Sequence, residues 1–250
     1  MSDKKLYTRE EFDKLLKRCA KAMAKDQRLS EDALKVLVKA DCYQWLHQTN
    51  WLGEPILNLP QDMFAVQEII FKTRPKFIIE LGVAWGGSLL FYSTLMDVLG
   101  GGCVIGVDTY ITDDLRKRLS SYGRLSERLR LIEGSSIEQD IFNKIKSIVG
   151  DCRAVMVVLD SYHTHEHVLK ELQLYSLLVG KGFYLICGDT IVEQIPKQRH
   201  RSRPWGPGNN PKTALTQFLN ENDRFKVDKI LEQKLLFTCN PGGYLKCCKE

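Results

Sequence analysis

Glu80, Asp108, Asp160 and Asp189 each stand at or near the end of a short apolar run, in FIIELG, CVIGVD, VMVVLD and FYLICGD. The first run opens into Gly82-Val83-Ala84-Trp85-Gly86-Gly87-Ser88, and Asp108 follows at the end of the next run. Glycines at such a turn let the backbone approach a bound molecule, and an acid closing the second run accepts hydrogen bonds from ribose hydroxyls, so the pair predicts a nucleoside site. The G-x-G-x-x-G spacing of pyrophosphate sites is absent. Glu80 would repel a pyrophosphate and suits a ligand carrying a sulfonium or an ammonium, as S-adenosylmethionine does. Ser135, in the Gly134-Ser135-Ser136 corner after the third run, and Asp160 are further contacts for such a cofactor. A strand-to-helix turn with no ligand remains the alternative reading of the same glycines.

The fourth run continues Asp160-Ser161-Tyr162-His163-Thr164-His165-Glu166-His167. Asp160 and Asp189, at the ends of neighbouring runs, form a carboxylate pair of the kind that holds Mg2+, with water or substrate oxygens completing an octahedron. Alternatively, both cap the helices that follow. His163 lies in the loop and is the candidate general base, since imidazole titrates near neutral pH. His165 and His167 fall on the first turns of a helix capped by Thr164, where a solvated polar face is expected. No Cys or His cluster elsewhere completes a zinc site.

The elements that must position these residues follow from hydrophobic period. Runs 76–82, 103–108, 129–135, 154–160 and 182–189 are rich in Val, Ile and Leu and read as parallel strands buried on both faces. Segments 87–98, 113–121, 137–148 and 165–178 between them are of helix length, which predicts an α/β fold with a doubly wound Rossmann-like sheet and a ligand site at the carboxyl ends of its strands. Near the C-terminus, two strands flanking Asn240-Pro241-Gly242-Gly243 predict an antiparallel hairpin. Amphipathic spacing predicts helices over 8–24 and 31–47, the second capped by Ser30, and a third over 61–73 that ends before Pro75. Residues 1–60 are therefore expected to form an N-terminal helical extension to a domain spanning 61–250. The stretch 194–213 is a Pro-rich basic loop, a candidate lid whose Arg199, Arg201 and Arg203 offer a phosphate site or merely a solvated surface.

The balance of 36 Lys and Arg against 31 Asp and Glu over 250 residues is too mild to require nucleic acid. The opening MSDKKLYTREEFDK has no apolar signal core, no run is long enough to span a membrane, and the eight cysteines include no CxxC pair. These features predict free thiols in a reducing cytoplasm. The apolar faces of the N-terminal helices exceed what a short extension buries on itself, so a homo-oligomer is expected.

The strings IIELGVAWGGSLLFY, VIGVD and LDSYHTHEHVLKELQLYSLLVGKGFYLICGDT resemble the cephalosporin hydroxylase family, a class I S-adenosylmethionine-dependent methyltransferase-like group. The resemblance covers about 43–245, with WLGEPILNLPQDM before the first strand and GNNPKTALTQFL after the loop. It implies a class I methyltransferase fold, S-adenosylmethionine as cofactor, and a sugar or polyol hydroxyl in a small-molecule acceptor as substrate. Glu80, Gly82 and Gly86 match the first cofactor motif, Asp108 the ribose acid, Asp160 a metal ligand and His163 the base. This chain departs from the pattern twice: Gly188-Asp189 replaces an acidic pair, and Trp85 replaces an arginine. Three rival readings remain: a nicotinamide-dependent oxidoreductase, which lacks its phosphate motif; a non-catalytic cofactor-binding or assembly protein; and a literal hydroxylase, which lacks an iron facial triad.

Overall fold

The computed structural model describes residues 7–197, 200 and 202–250. Its centre is a seven-stranded sheet in the order β5-β4-β3-β6-β7-β9-β8, built from β3 (Phe77–Leu81), β4 (Cys103–Asp108), β5 (Leu129–Glu133), β6 (Val155–Leu159), β7 (Tyr184–Cys187), β8 (Phe225–Val227) and β9 (Tyr244–Cys247). The first five run parallel. Their side chains alternate between two cores, Ile79, Leu81 and Val157 packing on one face and Ile78, Met156 and Val158 on the other, because successive strand residues point to opposite faces. Every residue of Val155–Leu159 is buried, which accounts for its unbroken apolar character.

The chain winds outward from β3 through β4 to β5, then returns to place β6 on the other side of β3. That reversal opens a crevice above the carboxyl ends of β3 and β6. Helices α4 (Gly87–Val98), α5 (Asp113–Ser120), α6 (Gln139–Val149) and α7 (His165–Tyr175) follow β3 to β6 in turn, as the sequence predicts. Ahead of the sheet, α3 (Pro60–Thr73) starts on a proline at its first turn and ends at Arg74 in a left-handed conformation before Pro75. A two-stranded ribbon of β1 (Thr49–Trp51) and β2 (Glu54–Ile56) precedes it.

The expected antiparallel closure is present, but with a different partner. β9 pairs antiparallel with β7 and with β8, and β8 lies before, not within, the 234–239 segment expected to form the hairpin. The intervening chain is drawn away: after the short helix α9 (Lys229–Glu232), Cys239 N–H donates to Asp62 and the Cys239 carbonyl accepts from Ile191 N–H. Backbone committed to those partners cannot join a ladder. At the N-terminus, α1 (Arg9–Met23) carries a capping box from Thr8 and Glu11 and buries none of its residues. Helix α2 (Gln27–Ala40) starts earlier than expected, because Asp26 rather than Ser30 caps it by accepting from Leu29 N–H. The basic loop ends at Asn210, which caps α8 (Pro211–Glu221). Among the described residues no helix is long and apolar enough to cross a membrane.

Candidate functional site: a cleft at the strand ends

A cavity of about 430 Å³ opens over the carboxyl ends of the parallel strands. Its floor begins with Gly82, whose φ of +98° favours glycine and whose missing side chain lets the Asp160 carbonyl lie directly against it. Val83, Ala84, Trp85 and Ser88 also line the cavity, while Gly86 and Gly87 do not. Gly86 packs on Leu115 and Leu119, and Gly87 lies under the Pro55 and Glu54 carbonyls, so both seat the turn against α5 and the ribbon. Asp108 lines the cavity and ties the turn down, its Oδ2 accepting from Val83 N–H at 2.8 Å and Ala84 N–H at 3.2 Å.

Glu80 is buried at the base of this turn, where its carboxylate accepts from the Ser88 hydroxyl at 2.6 Å and the Tyr92 hydroxyl at 3.0 Å. Burial, opposed by those two hydrogen bonds, raises its pKa to about 7. A carboxyl balanced between charge states is ready to ionise fully beside a bound cation. Of the Gly134-Ser135-Ser136 corner, Gly134 and Ser136 line the cavity and Ser135 does not.

In the same cleft, Asp160, His163 and Asp189 offer ligand atoms that all lie within 4.8 Å of one another. His163 Nε2 is 3.8 Å from Asp160 Oδ1 and 3.5 Å from Asp189 Oδ2, and the residue is 9% exposed. Burial lowers the imidazole's pKa against the pull of Asp189, so it is neutral at neutral pH. Burial, then the charges of Asp189 and Glu80, push the Asp160 carboxyl well up. Neither aspartate caps a helix in the expected way: Thr164, not Asp160, holds the N-cap position of α7, though without the expected side-chain bond, and Asp189 begins a short 3-10 turn, also without a side-chain cap bond. Instead Asp189 is held at φ 52°, a costly conformation for a residue with a side chain, by the Asn240 bond to its N–H.

The missing acid at 188 has a steric reason. A Cβ on Gly188 would lie 2.6 Å from the Leu159 carbonyl and 3.1 Å from Asp160 Oδ1. A side chain there would displace the carboxylate that forms the site.

Two histidines read from sequence as solvated are not. His165 bridges α7 to α8, with Nδ1 at 2.8 Å from Thr213 Oγ1 and Nε2 at 3.1 Å from Gln217 Oε1. His167 lines the cavity, and its Nε2 meets Ser136, Ser161 and the fully buried Glu171. The i,i+4 spacing of His167 and Glu171 on one helix was the available signal. Sequence reasoning also missed Trp205, which lines this cavity and a neighbouring one of about 520 Å³ that shares Asp189 and Arg203. Arg199 and Arg201 lie outside the described residues.

Comparison with known proteins gives a consistent relationship. Rhamnosyl O-methyltransferases of Mycobacterium leprae and Mycobacterium tuberculosis are 29% and 28% identical over 200 and 201 residues, in each case 79% of this chain, and 82% and 78% of theirs. An apo structure of CmcI superposes with a TM-score of 0.57 at 18% identity, covering 81% of this chain and 77% of that one. The SAH-bound Podospora anserina methyltransferase gives 0.52 at 16%, covering 91% and 93%. These superpositions agree with the doubly wound fold. The family described as Rhamnosyl O-methyltransferase/CmcI matches residues 43–248, and with that match over most of its length the chain belongs to the rhamnosyl O-methyltransferase/CmcI family.

Proposed function

We infer that this chain is an S-adenosylmethionine-dependent O-methyltransferase acting on a sugar hydroxyl, assisted by a divalent cation. The observation that carries the reading is one cleft lined by both a cation-seeking carboxylate, Glu80, and the Asp160–His163–Asp189 cluster. Relatives named rhamnosyl O-methyltransferase favour a deoxyhexose acceptor, and a CmcI structure containing Mg and SAM, with a TM-score of 0.54, agrees with the cofactor pair.

The donor set fits a hard cation. Two carboxylates accept no hydrogen bond among the described residues and face each other across a neutral imidazole, a charge arrangement that a divalent ion would relieve. Asp160 and Asp189 would hold it, and it would supply Lewis acidity toward a substrate hydroxyl. His163 Nε2 takes the hydroxyl proton, because a buried neutral imidazole is free to accept one. Glu80 orients the positively charged end of the methyl donor, with Gly82 and Val83 giving it a close backbone wall, Ser88 steadying the carboxylate and Asp108 at the ribose. Ser136 takes the place first assigned to Ser135. The site thereby aligns donor and hydroxyl for in-line transfer.

Eight free cysteines suit a reducing cytoplasm, and the exposed Phe12 and Leu16 of α1 suit a homo-oligomer contact; fractionation and sizing test these two points. The 1–60 and 61–250 division is tested by whether the latter folds alone. The activity is tested by calorimetry with the demethylated product, S-adenosylhomocysteine, and by turnover with excess chelator and with restored magnesium. Absence of product binding overturns the methyltransferase reading; full turnover in chelator overturns the metal assignment.

A further inference from the structure

A general base must be held in one orientation, and His163 lacks the usual means. Among the described residues neither of its ring nitrogens makes a hydrogen bond, its Nε2 only facing the two carboxylates at 3.5 and 3.8 Å. What bounds the ring is Trp205, whose indole meets it edge-to-face with centroids 5.1 Å apart and planes at 78°. Such contacts favour one relative orientation of two rings over others.

The indole is itself placed by rings and charge. Tyr162 packs edgewise at 5.3 Å, and the Arg203 guanidinium carbon lies 5.4 Å from its centroid. Its Nε1 is buried and has no hydrogen-bond partner among the described residues. Trp205 is therefore held through ring packing, not through its polar handle. It also lines both the 430 Å³ cleft and the adjoining 520 Å³ cavity, at the junction where Asp189 belongs to both. An acceptor reaching the cleft from the second cavity passes this indole before it reaches His163.

We propose that Trp205, a residue of the 194–213 loop, is a positioning residue for the transfer: it fixes the His163 imidazole and bounds the approach of the acceptor's hydroxyl. This role rests on the methyltransferase reading. Removing the ring releases the base and widens the junction, while a smaller aromatic restores the edge contact. Because Nε1 donates to nothing, Trp205→Phe sacrifices no hydrogen bond.

The test uses the full chain with S-adenosylmethionine, magnesium and methyl α-L-rhamnopyranoside as the acceptor probe, and measures S-adenosylhomocysteine affinity by calorimetry for each variant. Trp205→Ala is expected to lower kcat about a hundredfold, the usual cost of misplacing a reacting group by about 1 Å, and to raise KM for the rhamnoside. Trp205→Phe should recover kcat to within about fivefold of wild type, and both variants should bind S-adenosylhomocysteine as wild type does. Unchanged kcat in Trp205→Ala overturns the proposal. So does equal loss in both variants, or loss accompanied by weakened product binding, since these mark a merely structural side chain. A wild-type chain that binds S-adenosylhomocysteine but does not methylate the rhamnoside also counts against it. Failure of the wild type to bind S-adenosylhomocysteine is a separate result, which removes the methyltransferase reading and the role of Trp205 with it.

Discussion

Asp62 and Asp160 are carboxylates whose charge burial opposes, yet their surroundings differ in kind. Asp62, on α3, is 1% exposed and accepts from the Thr238 hydroxyl, the Cys239 N–H and the Tyr244 hydroxyl. Asp160 accepts no hydrogen bond among the described residues and instead faces Asp189 and His163. Burial raises the pKa of both, but donors oppose it at Asp62 whereas neighbouring negative charges reinforce it at Asp160. Asp62 joins the segment before β9 to α3. A carboxylate surrounded by donors is a structural joint; one facing other acids lacks that compensation, the arrangement expected of a cation ligand.

Substitutions at the two positions should therefore split cleanly. Asp160→Asn is expected to give the largest effect, a loss of turnover of about a thousandfold, the upper range for removing one electrostatic partner of the reacting groups. Its melting temperature should hold or rise, because a poorly compensated charge is gone. A marked drop in melting temperature would place Asp160 in the same class as Asp62. Asp62→Ala should do the reverse, costing about 3 kcal/mol in denaturant unfolding, since three donors lose their acceptor. Unchanged stability would show that those hydrogen bonds contribute little.

His163→Ala comes next, with about a hundredfold loss of turnover and near-normal affinity for S-adenosylhomocysteine. Near-normal turnover would assign proton removal to another group.

Glu80 sharpens the comparison because it is intermediate, with two donors and a pKa raised from 4.5 to about 7. The folded state holds a proton there that the unfolded chain releases, so its contribution to stability is full below pH 4.5 and is lost as pH rises through 7. Glu80→Gln should accordingly raise the stability of the ligand-free protein by about 2 kcal/mol at pH 8, little at pH 4, and weaken cofactor binding. A stability gain independent of pH would contradict the titration. The smallest effect is expected for His165→Ala: about 1 kcal/mol from the lost contacts between α7 and α8, with turnover near wild type. A large loss of turnover would move His165 into the catalytic cleft.

The sequence by itself determined the doubly wound order, the glycine turn after the first strand and the acids at the strand ends. All of these are local: a run of Val and Ile buried on both faces marks a parallel strand, and an acid at its carboxyl end falls at the crevice whatever the rest of the chain does. The resemblance in the LDSYHTHEH and YLICGDT strings added the family. Only the tertiary structure decided which partner β9 takes, since the hydrogen bonds that draw Cys239 away are made to Asp62 and Ile191, distant in sequence. It likewise decided that Ser136 rather than Ser135 lines the cleft, that His167 turns inward to Ser161 and Glu171, and that Gly188 must lack a side chain. The same holds for Trp205, which reaches His163 from a loop some forty residues later. Periodicity fixes the face on which a residue lies, but contacts between distant segments depend on how the layers pack, and no local pattern encodes that packing.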